Sequence, residues 1–226
     1  MNGSNQPREQ LLVDCTPVTM FQMNSWICGD PVSKDGVLID AGGEPEKLLS
    51  MIERSNLNIH AILQTHGHLD HAGGIKALKD GLLVRPVYLH KSEHPIYDTV
   101  EESAAMFGMG YVPQPPPPDH YVEQDQVLEF GTISARVIFL PGHTPGGVAY
   151  VIGGHIFVGD TIFKGSVGRT DLPFGDTPTL VRSLQLLMQE DDELIVHSGH
   201  GGDTTIGEER RTNPFVQAAL SGQVWA

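Results

Sequence analysis

One short segment of the chain carries an unusual density of side chains that bind metal ions. In "THGHLDH", three histidines and one aspartate lie between His66 and His71. The segment follows an apolar run, residues 59–65, whose composition is typical of a β-strand. Because residues two apart on an extended chain project to the same side, His66 and His68 can reach one ion beyond the end of this strand. Asp70 and His71 open the next predicted helix, aimed at the same edge.

The spacing of these four residues favours two ions over one. Ligands spaced so unevenly do not easily close a single tetrahedron around one ion. Gly67, between the first two histidines, removes a side chain and permits a tight backbone path. The sequence therefore predicts two neighbouring ions, whose remaining ligands must come from elsewhere in the chain.

Three later segments offer ligand-type residues just past a predicted strand. They are His143 after residues 133–140, Asp160 at the end of residues 155–160, and His200 after residues 193–198. Functional groups collect in turns at strand ends, so these residues and the early histidines together predict one composite site. The other histidines are predicted to be structural or surface residues. They are His60, His90, His94, His120, His155 and His197.

The charge balance restricts the partners of the chain. The 226 residues include 14 basic and 28 acidic side chains, for a net charge of −14. Nucleic-acid binding relies on lysine and arginine, so we expect no nucleic-acid partner.

We also expect no membrane span and no signal peptide at the N-terminus, and we place the protein in the cytoplasm. Cys15 and Cys28 are predicted to be reduced thiols.

The pattern of apolar residues alternates between strand-like and helix-like runs, which predicts an α/β protein in which helices cover sheets. The predicted strands are residues 18–28, 36–40, 59–65, 86–90, 133–140, 148–153, 155–160 and 193–198. The predicted helices are residues 45–55, 71–81, 176–190 with Thr177 as N-cap, and 207–220. The proline-rich residues 111–120 are predicted to be a stiff extended connector between two halves, with a lid or docking segment as the alternative.

In chain order, "THGHLDH", "PGHTPGG", "GDTIF" and "GHGG" resemble the motifs of the metallo-β-lactamase superfamily. The resemblance implies an α/β fold, a four-layer αβ/βα sandwich in a single domain over residues 1–226, with metals at one edge. Two longer segments, "DTIFKGSVGRTDLPFGD" and "GHGGDTTIGEERRTNPF", are similar to short bacterial glyoxalase II proteins, the hydroxyacylglutathione hydrolases.

The resemblance also implies two metal sites that share one carboxylate. The implied ligands are His66, His68 and His143 for the first ion, Asp70, His71 and His200 for the second, and Asp160 as the bridge. Asp40 is implied to orient the metal-binding loop without binding an ion. Zinc is the first expectation, with iron or manganese as alternatives, because mixed nitrogen and oxygen ligands suit several ions.

The implied activity is thioester hydrolysis of S-acylglutathione, for example S-lactoylglutathione, by a hydroxide shared between the two metals, with Asp70 and Asp160 as catalytic residues. An anionic small-molecule substrate needs cations at the mouth of the site. Lys164 and Arg169 are the candidates, and surface charge is an equal alternative for both. Arg169 could instead pair with Asp171 or Asp176 and hold the loop in place.

Other functions use similar ligands. A persulfide dioxygenase would hold one iron between His66, His143 and Asp160, two histidines and a carboxylate. A metallo-phosphodiesterase is compatible with two metals but disfavoured by the acidic charge. β-Lactam hydrolysis and a purely binding role are weaker alternatives. The sequence leaves a homo-oligomer open.

Overall fold

The computed structural model describes residues 11–225, and two six-stranded sheets form its centre. The first sheet has the order β1-β2-β3-β4-β5-β6, and its strands pair antiparallel from β1 to β3 and parallel from β3 to β6. The strands of this sheet are β1 (Leu12–Val18), β2 (Met23–Gly29), β3 (Asp35–Ile39), β4 (Asn58–Leu63), β5 (Val87–His90) and β6 (His120–Val122).

The second sheet has the order β14-β13-β10-β9-β8-β7, and β10 and β13 are its parallel pair. Its strands are β7 (Val127–Phe130), β8 (Ile133–Phe139), β9 (Val148–Ile152), β10 (His155–Gly159), β13 (Ile195–Ser198) and β14 (Thr204–Thr205). A small hairpin of β11 (Ile162–Phe163) and β12 (Ser166–Val167) follows β10.

Helices cover both sheets. Those beside the first sheet are α1 (Pro45–Ser55), α2 (Leu69–Ala72), α3 (Ile75–Ala77), α4 (His94–Tyr97) and α5 (Val100–Met106), with single turns at Leu78–Leu82 and Lys91–Glu93. Those beside the second sheet are α6 (Thr177–Leu187), α7 (Ile206–Thr212) and α8 (Pro214–Leu220). No helix among residues 11–225 is long and apolar enough to span a membrane.

Alternating side chains divide the interior into three apolar layers. In β3, Leu38 packs into the core beneath the first helices, whereas Val37 and Ile39 face the other sheet. Residues of both sheets form the middle layer, and α6 and α8 pack with the second sheet in the third. Because strand side chains alternate between faces, each sheet can bury both of its surfaces. The four-layer αβ/βα sandwich is therefore confirmed.

Several predicted boundaries are wrong. Residues 18–28 are the end of β1, a reverse turn and most of β2, and Thr19 and Gln22 in this turn have φ of 61° and 54°. The N-cap of α6 is Asp176, not Thr177, because the Asp176 carboxylate accepts the Thr179 N–H at 2.8 Å.

Two predicted helices are interrupted. The helix expected over 71–81 breaks at Gly73 and Gly74. A Cβ at Gly74 would collide with the Ala41 carbonyl and stop the close approach of the two segments. The helix expected over 207–220 breaks at Asn213, which caps α8 ahead of Pro214. Proline lacks the N–H that a continuous helix needs.

The proline-rich residues 111–120 join α5 to β6, the last strand of the first sheet. The chain passes to the second sheet only after β6. The Tyr97 hydroxyl donates to the Pro116 carbonyl at 2.9 Å, which holds this segment against the first half of the chain. The prediction that the N-terminus lacks a signal-type apolar core concerns residues 1–14, of which residues 1–10 lie outside the described residues.

Candidate metal centre

The predicted ligands come from five places in the chain and meet at one edge of the two sheets. The loop after β4 carries His66 and His68, and α2 carries Asp70 and His71. The other three residues are His143 between β8 and β9, Asp160 directly after β10, and His200 after β13. Backbone hydrogen bonds hold these loops together, for example from Val148 N–H to the Thr65 carbonyl at 2.9 Å.

Three histidines form the first group. Suitable nitrogen atoms of His66, His68 and His143 all lie within 4.8 Å of one another. Nε2 of His143 is 3.0 Å from Nδ1 of His68. The two nitrogen atoms are within hydrogen-bond distance of each other and therefore point to the same small space.

The second group contains Asp70, His71 and His200, again with ligand atoms within 4.8 Å of one another. Nε2 of His200 lies 3.3 Å from Oδ2 of Asp70, and Nε2 of His71 lies 4.0 Å from the same oxygen. The two histidines and the carboxylate therefore converge on a second point next to the first group.

Asp160 lies between the two groups. Its Oδ1 is 3.3 Å from Nε2 of His71, and its Oδ2 is 3.8 Å from Nε2 of His143 and 3.5 Å from Nε2 of His200. One carboxylate thus contacts histidines of both groups. All seven predicted ligands are brought together.

Three buried polar atoms at this centre make no hydrogen bond: Nε2 of His66, and the facing pair Nε2 of His71 and Oδ1 of Asp160, which lie 3.3 Å apart without hydrogen-bond geometry. A buried polar atom without a partner costs about 1–3 kcal/mol. In their deprotonated forms all three atoms have lone pairs, and they come from residue types that bind zinc and similar metals. The residues present therefore fit a pair of divalent cations.

Asp40 fixes the orientation of the early histidines. Its carboxylate accepts hydrogen bonds from Thr65 N–H at 2.7 Å, from the Thr65 hydroxyl at 2.7 Å and from Nδ1 of His71 at 2.8 Å. The Thr65 hydroxyl in turn lies 3.0 Å from Nδ1 of His66. Both histidines thereby present Nε2 to the centre. Asp40 is buried, has φ of 56°, and has both carboxylate oxygens engaged by these donors.

His143 is oriented by a different segment. Its Nδ1 donates to the Arg169 carbonyl at 2.7 Å, which leaves Nε2 free to face the first group. Gly168, which precedes Arg169, lies so close to Asp160 that a Cβ on Gly168 would collide with the Asp160 carbonyl. Gly199 is equally constrained, because its Cβ would meet Oδ1 of Asp160 and the His71 ring. Glycine at these two positions lets the loops approach the centre.

The electrostatic environment keeps most of these groups in the form that binds cations. Burial and the neighbouring histidines hold the pKa of His66 well below its usual value, and they lower the pKa of His68 to about 3. Burial alone would raise the pKa of Asp160, but the histidines around it hold that pKa below its usual value. For His71 the balance is the opposite. Burial alone would lower its pKa, but the surrounding carboxylates raise that pKa well above its usual value.

Glu93 is a functional candidate that the sequence analysis missed. It is fully buried and accepts the N–H of Gly67 at 2.6 Å and the N–H of Gly146 at 2.5 Å. One side chain therefore connects the loop of His66 and His68 to the loop of His143. Burial raises the pKa of its carboxyl. Nothing in the surrounding sequence marks this residue, because its role depends on a distant contact.

A cleft of about 630 Å³ opens beside the centre. Its lining includes His68, Asp70, His143, Asp160 and His200 together with apolar side chains and Arg169. Arg169 donates to both carboxylate oxygens of Asp171, at 2.6 and 2.7 Å, as the alternative for this residue predicted. Lys164 lies at the exposed turn of the β11–β12 hairpin and is not among the residues that line the cleft.

The chain belongs to the metallo-β-lactamase superfamily, whose family model matches residues 19–200. The earlier resemblance is thereby confirmed. A relative from Haemophilus influenzae named hydroxyacylglutathione hydrolase GloC is 35% identical, covering 91% of this chain and 98% of its own length. A probable metallo-hydrolase of Bacillus subtilis, YqgX, is 34% identical over 88% of this chain and 95% of its own. The chain is therefore similar in sequence to metallo-hydrolases of the superfamily.

Two solved structures are similar to this chain in both fold and sequence. The crystal structure of TTHA1623 in a di-iron-bound form matches with a TM-score of 0.81 and 41% identity, over 89% of this chain and 99% of the other. The BLEG-1 B3 metallo-β-lactamase matches with a TM-score of 0.83 and 35% identity, over 91% of this chain and 99% of the other.

Proposed function

We propose that this protein is a glyoxalase II-like thioesterase that uses two divalent metal ions. The observation that carries the proposal is the pair of three-residue groups on either side of Asp160, with unpartnered buried atoms facing the space between them. The first ion would be held by His66, His68 and His143, the second by Asp70, His71 and His200, and Asp160 would contact both. Zinc is the first candidate, with iron or manganese as alternatives.

The bound ions would supply a water molecule activated near neutral pH and a positive charge for the developing oxyanion. The protein supplies the geometry. Asp40 and the Arg169 carbonyl hold the histidine rings so that their lone pairs face inward. Asp70 lines the cleft, where its carboxylate can orient the attacking water by accepting a hydrogen bond from it.

A thioester is the substrate class that the relatives favour. The GloC relative is named for hydrolysis of hydroxyacylglutathione, and the resemblance to short glyoxalase II proteins covers both segments around Asp160 and His200. Thioester hydrolysis also needs no serine or cysteine nucleophile. Neither Cys15 nor Cys28 lines the cleft, which fits a mechanism that uses no cysteine nucleophile.

The direct test is S-lactoylglutathione hydrolysis by the purified protein after reconstitution with zinc, iron or manganese, read as release of free thiol. We expect turnover that disappears with a chelator and returns with metal. A His200→Ala variant should lose most of this activity because it removes one ligand of the second group. An equally fast His200→Ala variant would exclude a role for the second ion.

A one-iron persulfide dioxygenase would use His66, His143 and Asp160 and leave the second group without a task. The convergence of Asp70, His71 and His200 on one point therefore favours the hydrolase. Oxygen consumption with glutathione persulfide, measured on the same samples, separates the two. The phosphodiesterase alternative is tested there with a chromogenic phosphodiester.

β-Lactam hydrolysis is a second candidate because BLEG-1 is 35% identical over almost its whole length. The same centre could open a strained amide, since both reactions need activated water and an oxyanion site. A chromogenic cephalosporin tests this activity. We expect a kcat/KM well below that for thioesters.

A further inference from the structure

The cleft beside the metal centre has two apolar walls. On one side, Phe21 in the β1–β2 turn and Phe107 after α5 pack edge to face, with ring centroids 5.8 Å apart. On the other side, Phe163 and Val167 of the small hairpin face the cleft together with Leu172. The space between these walls leads directly to Asp160 and His200.

The cleft offers little to a charged ligand. Among its lining residues in the described part of the chain, Arg169 is the only lysine or arginine. Two of its five N–H donors already bind Asp171, whose negative charge weakens the attraction of Arg169 for a substrate carboxylate. A free peptide carboxylate buried between the apolar walls would therefore lose its hydration for one arginine that is already paired with Asp171.

Resting on the thioesterase function above, we propose that the enzyme selects thioesters with an apolar acyl group, either aliphatic or aryl. The acyl group lies between the Phe21–Phe107 pair and the hairpin wall. The thiol carrier, which in soluble thioesters usually bears charge, leaves toward solvent. A volume of about 630 Å³ accommodates such a group with the thioester itself.

The reaction is a hydrolysis, and its atoms balance without a further reactant. The oxygen of water bonds to the thioester carbonyl carbon, and the carbon–sulfur bond breaks. One hydrogen of water ends on the thiol, and the other remains with the carboxylic acid, which then ionises. The apolar walls take no part in these steps. They raise the fraction of productive complexes by burying the acyl group.

The test compares one thiol with three acyl groups: S-acetyl-, S-lactoyl- and S-hexanoylglutathione. Acetyl and hexanoyl thioesters have similar intrinsic reactivity, so their ratio reports on binding of the chain. Since each buried methylene strengthens binding about fourfold at best, we expect kcat/KM for hexanoyl to exceed that for acetyl by at least about tenfold. A hexanoyl value equal to or below the acetyl value overturns the proposal.

Phe107→Ala tests the wall itself. Phe107 is 57% exposed, so its loss should not unfold the protein, but it removes half of the aromatic pair. We expect the hexanoyl-to-acetyl ratio of kcat/KM to fall at least threefold. Phe174→Ala is the matched control, because Phe174 is 58% exposed and does not line the cleft.

The outcomes distinguish this proposal from the function on which it rests. If metallated protein hydrolyses none of the three thioesters, the thioesterase function is wrong. If it hydrolyses lactoyl- and acetylglutathione well but gains nothing from a longer chain, only the apolar selectivity is wrong. An unchanged ratio in Phe107→Ala also contradicts the proposal, because the aromatic wall would then not contact the acyl group.

Discussion

Within residues 11–225, two clusters each join at least two histidines to an aspartate, and one of the two has the features of a metal centre. In the first, called here the ligand cluster, the seven predicted ligands leave three buried lone pairs without partners. In the second, called here the His155–His197 pair, Nδ1 of His155 is 2.9 Å from Nε2 of His197, and Nδ1 of His197 is 3.0 Å from Oδ1 of Asp203. Both ring nitrogens of His197 are thus already engaged.

The difference lies in where the chain places the side chains. His197 is part of β13, and its ring stacks on Phe157 with centroids 4.9 Å apart and lies 4.5 Å from the Trp26 ring. The ligand cluster is built from residues beyond strand ends, where loops can turn several side chains toward one point. The number of histidines is therefore a weaker signal than the direction of their lone pairs.

The largest expected effect comes from removing the carboxylate shared by both groups. Loss of a residue that merely orients a ligand costs roughly 10- to 100-fold, so Asp160→Ala should lower kcat/KM by more than about 100-fold. Its metal content should also fall. Asp203→Ala in the His155–His197 pair is the matched control and should stay within threefold of the wild type. Comparable losses in the two variants would erase the distinction between the regions.

A smaller effect is expected from Asp40→Asn. Asparagine tolerates the positive φ of this position and has the same size as aspartate. Its NH₂ group, however, cannot accept the hydrogen bond that Nδ1 of His71 donates. We expect metal affinity, measured by competition with a coloured chelator, to fall by roughly 10- to 100-fold. Wild-type affinity in this variant would show that His71 needs no such orientation.

Glu93→Gln examines how the ligand cluster is held together. An amide nitrogen would replace one of the two oxygens that accept Gly67 and Gly146 N–H groups, and one buried donor would lose its partner. The free energy of unfolding of the metal-free protein should fall by about 1–3 kcal/mol. Denaturant titration measures this loss, with the exposed Glu102→Gln as control. A midpoint equal to that of the control would mean that Glu93 does not link the two loops.

The smallest effect concerns the pH dependence of stability. Burial lowers the pKa of both His155 and His197 in the folded protein. Below about pH 6.5 the unfolded chain therefore binds more protons at these residues than the folded chain, so they cost stability as the pH falls. His197→Phe keeps a ring between Trp26 and Phe157 and should flatten the decline in stability below pH 6.5. Identical slopes for variant and wild type would contradict the burial argument.

The sequence contained most of the site because its ligands follow a local rule. His66, His68, His143, Asp160 and His200 all lie just beyond apolar strands, and strand ends that share an edge meet in space. The core strands β3, β4, β8, β9 and β10 also follow a local rule, because each is a continuous apolar run in the sequence. The motif resemblance then supplied the pairing of ligands into two groups.

The features that the sequence did not reveal depend on contacts between distant residues. Glu93 has no local signature, and its two acceptors reach glycines that lie 26 and 53 residues away. The apolar walls of the cleft join the turn of Phe21 to the residue after α5 and to the β11–β12 hairpin. The short strands β6, β11, β12 and β14 have only two or three residues each, too few for a periodic pattern.

Elemental analysis of the purified protein tests the central claim most directly, because the account requires two neighbouring cations held by two groups of ligands. We predict close to two divalent metal ions per chain in the wild type and close to one in His200→Ala, which loses a ligand of the second group only. A wild-type protein that binds a single iron, with the same content in His200→Ala, would contradict the account.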